Sequence, residues 1–200
     1  MPLSQFRTPL NSPEMLALYE RATGAPFLIN SSELAVKYGY PSSFRRRGWW
    51  GRKETLRPPL FPDVCPLPEE YMKPSVTSKA ILDIEDDSAL AVLLTGRHLG
   101  LQRDVEKILR NARLNFARVY CNDNKHDGTD AFKEATLYNL LDEYPSITEV
   151  TWWDDRHEHF RRWYALKVRL TTGPLPRLSK FTLMKVTGDM LQEVTCMEQC

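Results

Sequence analysis

The sequence predicts an α/β fold in which helices pack against a largely parallel sheet. From about residue 80 onward, short apolar or β-branched runs alternate with stretches of helical periodicity. The hydrophobic fraction of 42% and the charged fraction of 26% are typical of a globular chain. A length of 200 residues is enough for one substantial core, so we expect a single domain of ordinary size.

The first part of the chain is predicted to hold one helix and a covering segment. Ser-Pro-Glu at residues 12–14 is a helix start, and the apolar spacing after it predicts a helix over about residues 13–23. Seven prolines lie within residues 39–75 and interrupt regular structure. We therefore assign residues 1–79 to an N-terminal helix and a proline-rich covering segment.

Two strands and two helices are predicted next. Residues 90–94 form a continuous apolar run that indicates a buried strand, and residues 116–120 are a second strand candidate. A helix capped by Thr129 or Asp130 is expected to follow them. Helical spacing is found in two groups, Val105, Ile108, Leu109 and Ala112 in the first and Phe132, Thr136, Leu140 and Tyr144 in the second.

Two more strands complete the predicted sheet. Residues 147–153 are rich in β-branched and aromatic side chains, and residues 180–186 have similar character. Trp152 and Trp153 lie inside the third strand, where we expect them to pack in the core. Residues 80–165 would then form the main α/β core, with residues 166–200 as a C-terminal strand and tail.

Reactive side chains follow two of the predicted strands, and a lysine stands near the start of the second helix. Ligands of parallel α/β sheets bind just beyond the carboxyl ends of the strands. A hydroxyl, a lysine and an acidic pair gathered there suit a phosphate with a magnesium ion. The residues are Thr95, Gly96 and Arg97 after the first strand, Lys133 on the helix, and Asp154 and Asp155 after the third strand.

Three of these segments resemble motifs of the haloacid dehalogenase (HAD) superfamily. VLLTGR at residues 92–97, TDAFK at 129–133 and EVTWWDDRHEHF at 149–160 resemble its second, third and fourth motifs. They are most similar to the branch of Swiss Army Knife RNA repair-like proteins. FRTP at residues 6–9 and Gly-Trp-Trp at 48–50 are similar to the segment that follows the first motif in that branch.

The resemblance, which covers about residues 6–165, implies a fold and an activity. The fold would be a three-layer Rossmann-like domain, and the activity a Mg²⁺-dependent hydrolysis of phosphate esters, with an RNA end among the implied substrates. Thr95, together with Gly96 and Arg97, would bind the phosphoryl group, and Lys133 would stabilise its charge. Asp154 and Asp155 would position magnesium. Arg97, Arg156, His157 and His159 would be neighbours of the site without an assigned role.

One element of the superfamily is not found in this sequence. The first motif, DxDx(T/V), supplies the aspartate nucleophile and should occupy residues 1–5 or lie just before them. Residues 1–5 contain no carboxylate. The acidic run at residues 83–87 is a poor substitute, since Asp83 precedes Thr95 by only 12 residues and leaves no room for the usual helix. We therefore expect an inactive chain: a truncated gene model, a splice product or a phosphate-binding pseudoenzyme. The central first strand of the sheet would be missing or incomplete.

A basic and aromatic segment over residues 45–53 supports an alternative function. Its cations and tryptophans, Arg45, Arg46, Arg47, Trp49 and Trp50, combine the groups that contact phosphates and stack on bases. On this view the chain is a catalytically dead module that binds RNA or a protein. We favour the simpler interpretation, in which the tryptophans anchor the loop and the arginines are solvated. A net charge of +1 means that any nucleic acid must be bound by such a local patch.

The aliphatic runs, the first residues and the cysteines of the sequence bear on the cellular location. The longest aliphatic run has six residues, far fewer than the roughly 20 that span a bilayer, so no membrane partner is expected. The first residues lack the apolar stretch of a secretory signal. The four cysteines are scattered and fit neither a disulfide framework nor a zinc site. We expect an intracellular protein, cytoplasmic or nuclear.

Overall fold

The structure is a computed structural model that describes residues 21, 51, 53–58, 61–174, 176–187 and 189–196. Apart from residue 21, the helix predicted over residues 13–23 lies outside these residues. The helices are α1 (Pro74–Glu85), α2 (Gln102–Asn111), α3 (Thr129–Glu143) and α4 (Phe160–Thr172). The strands are β1 (Val92–His98), β2 (Arg118–Asn122), β3 (Glu149–Asp154), β4 (Lys180–Thr187) and β5 (Met190–Glu193).

The chain divides into two compact units. The first contains the described residues of 73–96 and 116–200, and the second those of 7–72 and 97–115. The first unit therefore holds α3, β3 and the acidic pair, while the second holds α2 and the described part of the proline-rich segment. Within the described residues, no helix is long and apolar enough to cross a membrane.

The strands and helices predicted from residue 80 onward are found, with shifted bounds. β1 begins two residues later than the predicted strand and continues through Thr95, Gly96 and Arg97, for which the sequence predicts a loop. An apolar run in a sequence indicates which side chains are buried, but strands pair through backbone groups. The polar residues at the end of a strand are therefore not predicted to belong to it. α3 begins at Thr129, and its N-cap is Gly128 rather than Thr129 or Asp130.

Three elements were not predicted in full. α1 was missed because Pro74 looked like a helix breaker, although proline is favoured at the first helical position, which it occupies here. The start of α4 was expected near His157 and His159, and a short 3₁₀ helix at His157–His159 does lead directly into it. β5 has only four residues and carried no clear pattern.

The strands do not form one largely parallel sheet, as predicted, within the described part of the chain. β1 pairs with β2 in one sheet, while β3, β4 and β5 form another in that order. β3 and β4 are parallel, but β5 runs antiparallel to β4. Only two residues separate β4 and β5, which is too short a connection for a parallel crossover.

Each face of the β3–β4 sheet contributes side chains to a hydrophobic cluster. Because successive side chains of a strand point to opposite faces, Trp152 and Trp153 enter different clusters. Trp152 packs with Trp163 of α4 and Phe181 of β4 in the larger cluster, whereas Trp153 packs with Val76 of α1. Both tryptophans are 6% exposed, so the prediction that they belong to the core is confirmed.

The second unit is organised around α2. Its stripe of Val105, Ile108 and Leu109 is buried, as the spacing predicted. The proline-rich segment contacts this helix: Arg57 makes a two-point ion pair with Asp104, with N–O distances of 2.7 and 2.9 Å. The segment is therefore attached to α2 by specific bonds as well as by packing.

A close approach between β1 and α3 requires glycine at position 96. A Cβ atom at Gly96 would lie 2.6 Å from Cγ2 and 2.9 Å from Oγ1 of Thr129. Cβ atoms essentially never approach other atoms that closely, so a side chain here would force Thr129 at the start of α3 to move. Gly96 thus sets the distance between the end of β1 and the start of α3.

We predict that Gly96→Ala destabilises the protein through Thr129. The free energy of unfolding should fall by about 1–3 kcal/mol because the new methyl group overpacks this contact. In a Thr129→Ala background the same substitution should cost much less, since the obstructing atoms are gone. Urea unfolding of the parent, the two single variants and the double variant measures this coupling. Equal costs in both backgrounds would contradict it.

Candidate phosphate site

The candidate site is built around a buried ion pair at the carboxyl end of β3. Asp154, the last residue of that strand, is 0% exposed, and Lys133 of α3 is 5% exposed. The Lys133 ammonium lies 2.6 Å from Oδ2 of Asp154. The structure therefore brings together two residues that the sequence predicts for one site and that are 21 positions apart.

Two further donors bond to the Asp154 carboxylate. The indole Nε1 of Trp163 donates to Oδ2 over 3.1 Å, and the backbone N–H of Arg156 donates to Oδ1 over 2.9 Å. Nδ1 of His159 lies 3.7 Å from Oδ2, beyond hydrogen-bond distance. Among the described residues this Nδ1 is one of the few buried polar atoms without a hydrogen-bond partner. Asp154 is thus the common acceptor for groups from α3, α4 and the loop between β3 and α4.

These contacts keep Asp154 ionised. Burial by itself would raise the pKa of Asp154, but the His159 ring, the Lys133 ammonium and the Arg156 N–H outweigh it and hold the pKa well below the usual value for aspartate. Because the His159 contact is longer than a hydrogen bond, we assign most of this lowering to Lys133. Asp154 is therefore negatively charged at neutral pH, and this charge orients the lysine.

Asp155 is in a different environment from its neighbour. Its side chain is exposed, whereas that of Asp154 is fully buried. Desolvation by the surrounding protein and the negative charge of Asp154 raise the pKa of Asp155. Because water reaches the exposed carboxyl group, solvent limits this shift. Of the two acidic side chains, Asp155 is the one open to an external ligand.

The described residues alone do not fit a magnesium ion. Both oxygens of Asp154 already accept hydrogen bonds, one of them from an ammonium group that would repel a cation. Within the described ranges, no group of three or more His, Cys, Asp or Glu side chains could hold a metal. Magnesium would need oxygen ligands beyond these residues, and the assignment of Asp154 and Asp155 to it stays a prediction.

The predicted phosphate-binding residues of β1 fall into two groups. Thr95 and Gly96 belong to the same unit as Lys133, and Gly96 lies against Thr129, one helical turn before Lys133. Thr95 is buried, at 5% exposure. Arg97 belongs to the second unit, where Nη1 of its guanidinium lies 3.4 Å from Oγ1 of Thr55. The phosphate-binding roles of all three residues stay predictions.

Sequence reasoning missed two residues next to Asp154. Trp163 belongs to none of the quoted motifs, and its only signal is that an indole N–H needs a partner when buried. Lys185 is the register partner of Asp154 on β4, and its only signal was a single lysine inside an otherwise apolar run. The residues proposed for RNA contact, Arg45, Arg46, Arg47, Trp49 and Trp50, lie outside the described residues, so that hypothesis stays untested.

We predict that Lys133 and Asp154 are strongly coupled in stability. Lys133→Met should lower the free energy of unfolding by about 3–5 kcal/mol, because it leaves a buried carboxylate without its cation. Combining it with Asp154→Asn should cost less than the sum of the two single changes. Urea unfolding of the four proteins gives the coupling energy.

The exposed pair of Lys180 and Glu149, with an N–O distance of 3.9 Å, is a matched control for this cycle. Lys180→Met and Glu149→Gln should be nearly additive, because water screens exposed charges. Additive costs at Lys133 and Asp154, to within about 0.5 kcal/mol, would show that the buried pair is not a coupled unit.

We also predict that Asp154 makes the stability depend on acidic pH. Its folded pKa lies below the unfolded value of about 3.9. The stability that it contributes is thus complete above that value and is lost as pH falls below it. Between about pH 5 and pH 2, the parent should lose more free energy of unfolding than Asp154→Asn. Parallel pH profiles from urea unfolding would contradict this.

Comparison with known proteins agrees with the motifs. Residues 29–188 match the HAD domain family 1 in Swiss Army Knife RNA repair proteins, so the match extends through β4, beyond the segment identified by its motifs. Neither a search of curated proteins nor a search of solved structures found a significant match. Because the matched segment covers most of the chain and includes Lys133 and Asp154, the chain belongs to the HAD domain family of Swiss Army Knife RNA repair proteins.

Proposed function

We propose that this HAD-like, phosphohydrolase-type domain binds the phosphoryl group of a phosphate ester between Thr95 of β1 and Lys133 of α3. The observation that carries the proposal is the buried pair of Lys133 and Asp154. Burial of an ammonium group costs free energy unless its N–H donors are paired. Buried charged groups of this kind cluster at functional sites. The Lys133 ammonium has three N–H donors, and the contact with Oδ2 of Asp154 uses one of them. The other donors suit the oxygens of a phosphate.

Each of the other residues would have a distinct part in this binding. The hydroxyl of Thr95 would donate to a phosphoryl oxygen. Asp154 would hold Lys133 in place, since its lowered pKa keeps it negative at neutral pH and unable to deliver a proton. Gly96 would allow the end of β1 to approach α3, where Lys133 is found. Preorganised charges of this kind stabilise the negative charge of a phosphoryl group in transfer.

Hydrolysis needs a nucleophile as well as this binding site. In covalent phosphoryl transfer a carboxylate attacks phosphorus, the bond from phosphorus to the ester oxygen breaks, and the leaving oxygen takes a proton. The 200 residues contain no Asp-x-Asp sequence, so the usual nucleophile and acid are not both available in this chain. We therefore propose that the chain as given binds phosphate esters but does not turn them over.

The substrate class follows from the family. Its description as an RNA repair family supports a phosphorylated RNA end as the ligand. An intracellular location, in the cytoplasm or the nucleus, would fit such a substrate. Membership of the family supports a Mg²⁺ cofactor in general. In this chain the ion would need oxygen ligands in addition to Asp154 and Asp155.

Binding of inorganic phosphate tests the site directly. Isothermal titration of the parent should show binding that Lys133→Met and Thr95→Val weaken by about tenfold or more, since each removes a donor to the anion. Thr136→Val is the matched control, because Thr136 is buried on the same helix and its hydroxyl bonds only to the backbone oxygen of Phe132, 2.8 Å away. Binding that is equally weakened in all three variants would contradict the assignment.

Turnover of p-nitrophenyl phosphate tests the inactivity. With magnesium present, the purified chain should release no p-nitrophenol above the rate of a sample without protein. Phosphatase activity that is lost in Asp154→Ala would overturn the proposal of an inactive chain. The proposed phosphate site would still stand.

A further inference from the structure

Lys185 occupies a special position beside the candidate site. It is the register partner of Asp154 on the neighbouring parallel strand, so both side chains stand on the same face of the sheet. On that face its ammonium lies 5.8 Å from the centre of the Phe160 ring. Phe160 belongs to the same cluster as Trp163, the residue that donates to Asp154. Lys185 therefore extends from the sheet toward the start of α4, next to Asp154.

The end of this lysine contacts a histidine. Nζ of Lys185 lies 3.1 Å from Nδ1 of His157. Because an ammonium group can only donate, Nδ1 of His157 must be the acceptor, which places the imidazole proton on Nε2. His157 is exposed, and its Nε2–H is then a donor on the opposite edge of the ring. The two residues present an ammonium group and an imidazole N–H donor side by side.

This pair has no counter-ion in the described part of the chain. The other ion pairs of the first unit join a basic group to a carboxylate, as Arg162 does with Asp130 and Glu134. Lys185 forms no such pair among the described residues and contacts the ring of His157 instead. A cation at the carboxyl end of a parallel strand, beside a free donor and without a carboxylate partner, is suited to an anion from outside the chain.

We propose that Lys185 and His157 form a second anion-binding pair that takes another phosphate group of the same ligand. This inference rests on the proposed function, because the first phosphate would occupy the site at Lys133 and Thr95. It makes the ligand a molecule with two phosphates, such as a nucleoside bisphosphate or an oligonucleotide end, rather than a simple monoester. Whether the second phosphate is a terminal phosphate or an internal phosphodiester is decided by the experiment.

Three ligands separate these possibilities. Adenosine 5′-monophosphate has one phosphate, adenosine 3′,5′-bisphosphate has two, and the 5′-phosphorylated dinucleotide pApA has a terminal phosphate and a phosphodiester. In isothermal titrations the parent should bind both two-phosphate ligands about fivefold to tenfold more tightly than the monophosphate. A preference for the bisphosphate over pApA would indicate a terminal phosphate in the second position, and the reverse order would indicate an internal phosphodiester.

Substitutions of Lys185 and His157 test which residues cause the preference for two phosphates. Lys185→Met keeps the aliphatic stem near Phe160 and removes the charge, so the preference for two phosphates should fall to about one. His157→Asn removes the imidazole N–H from an exposed position and should reduce the preference as well, which provides a second test if Lys185→Met does not fold. Lys180→Met is the matched control, since it makes the same change at the other end of the same strand, and should keep the preference.

The outcomes distinguish this inference from the proposed function. If the parent binds inorganic phosphate but shows no preference for two phosphates, or if Lys185→Met and Lys180→Met behave alike, the second site is wrong and the first stands. If the parent binds no inorganic phosphate, the proposed function fails, and the second site fails with it. A preference that is lost in both Lys185→Met and His157→Asn would support the pair.

Discussion

The buried ion pair between Lys133 and Asp154 is the interaction on which the arrangement of the first unit depends. A carboxylate without solvent must be fully partnered, and its partners here come from separate elements: an ammonium from α3, an indole N–H from α4 and a backbone N–H from the loop after β3. Because each donor must reach the same two oxygen atoms, their elements have little freedom in orientation. The electrostatic requirement of one side chain thus becomes a geometric constraint on two helices and a strand.

The hydrophobic packing of the first unit agrees with this constraint. One face of the β3–β4 sheet packs against α4 and the other against α1, so Trp152 and Trp153 are both buried although they point to opposite faces. The apolar run of β3 stops at Trp153, and the charged groups begin with Asp154. Polar side chains that would be expensive inside the sheet are placed at its edge, where the helix starts supply hydrogen-bond donors. Along β3, the buried tryptophans therefore precede the charged groups of the candidate site.

Much of this could be predicted from the sequence, but not all of it. The stripes of α2 and α3 and the run before Asp154 depend on local spacing, which periodicity detects directly. The position of Lys133 came from its motif, whereas its burial could not be foreseen, because a lone lysine on a helix is usually solvated. Lys185 and Trp163 became neighbours of the site only through strand register and helix packing. Such long-range pairings leave no local pattern, and the same holds for the separation of the strands into two sheets.

The adjacent tryptophans of β3 have a further consequence for spectroscopy. Trp152 and Trp153 are consecutive in the chain, yet they are buried in different clusters on opposite sides of one sheet. Trp152 lies 4.9 Å from the Trp163 ring, measured between ring centres, so energy transfer and exciton coupling between these two indoles should mark the α4 side. The emission of Trp153 reports on the side of α1 instead. Two neighbouring chromophores in a single strand thus give separate optical signals for the two halves of the same core, and the order in which those halves form becomes observable during refolding.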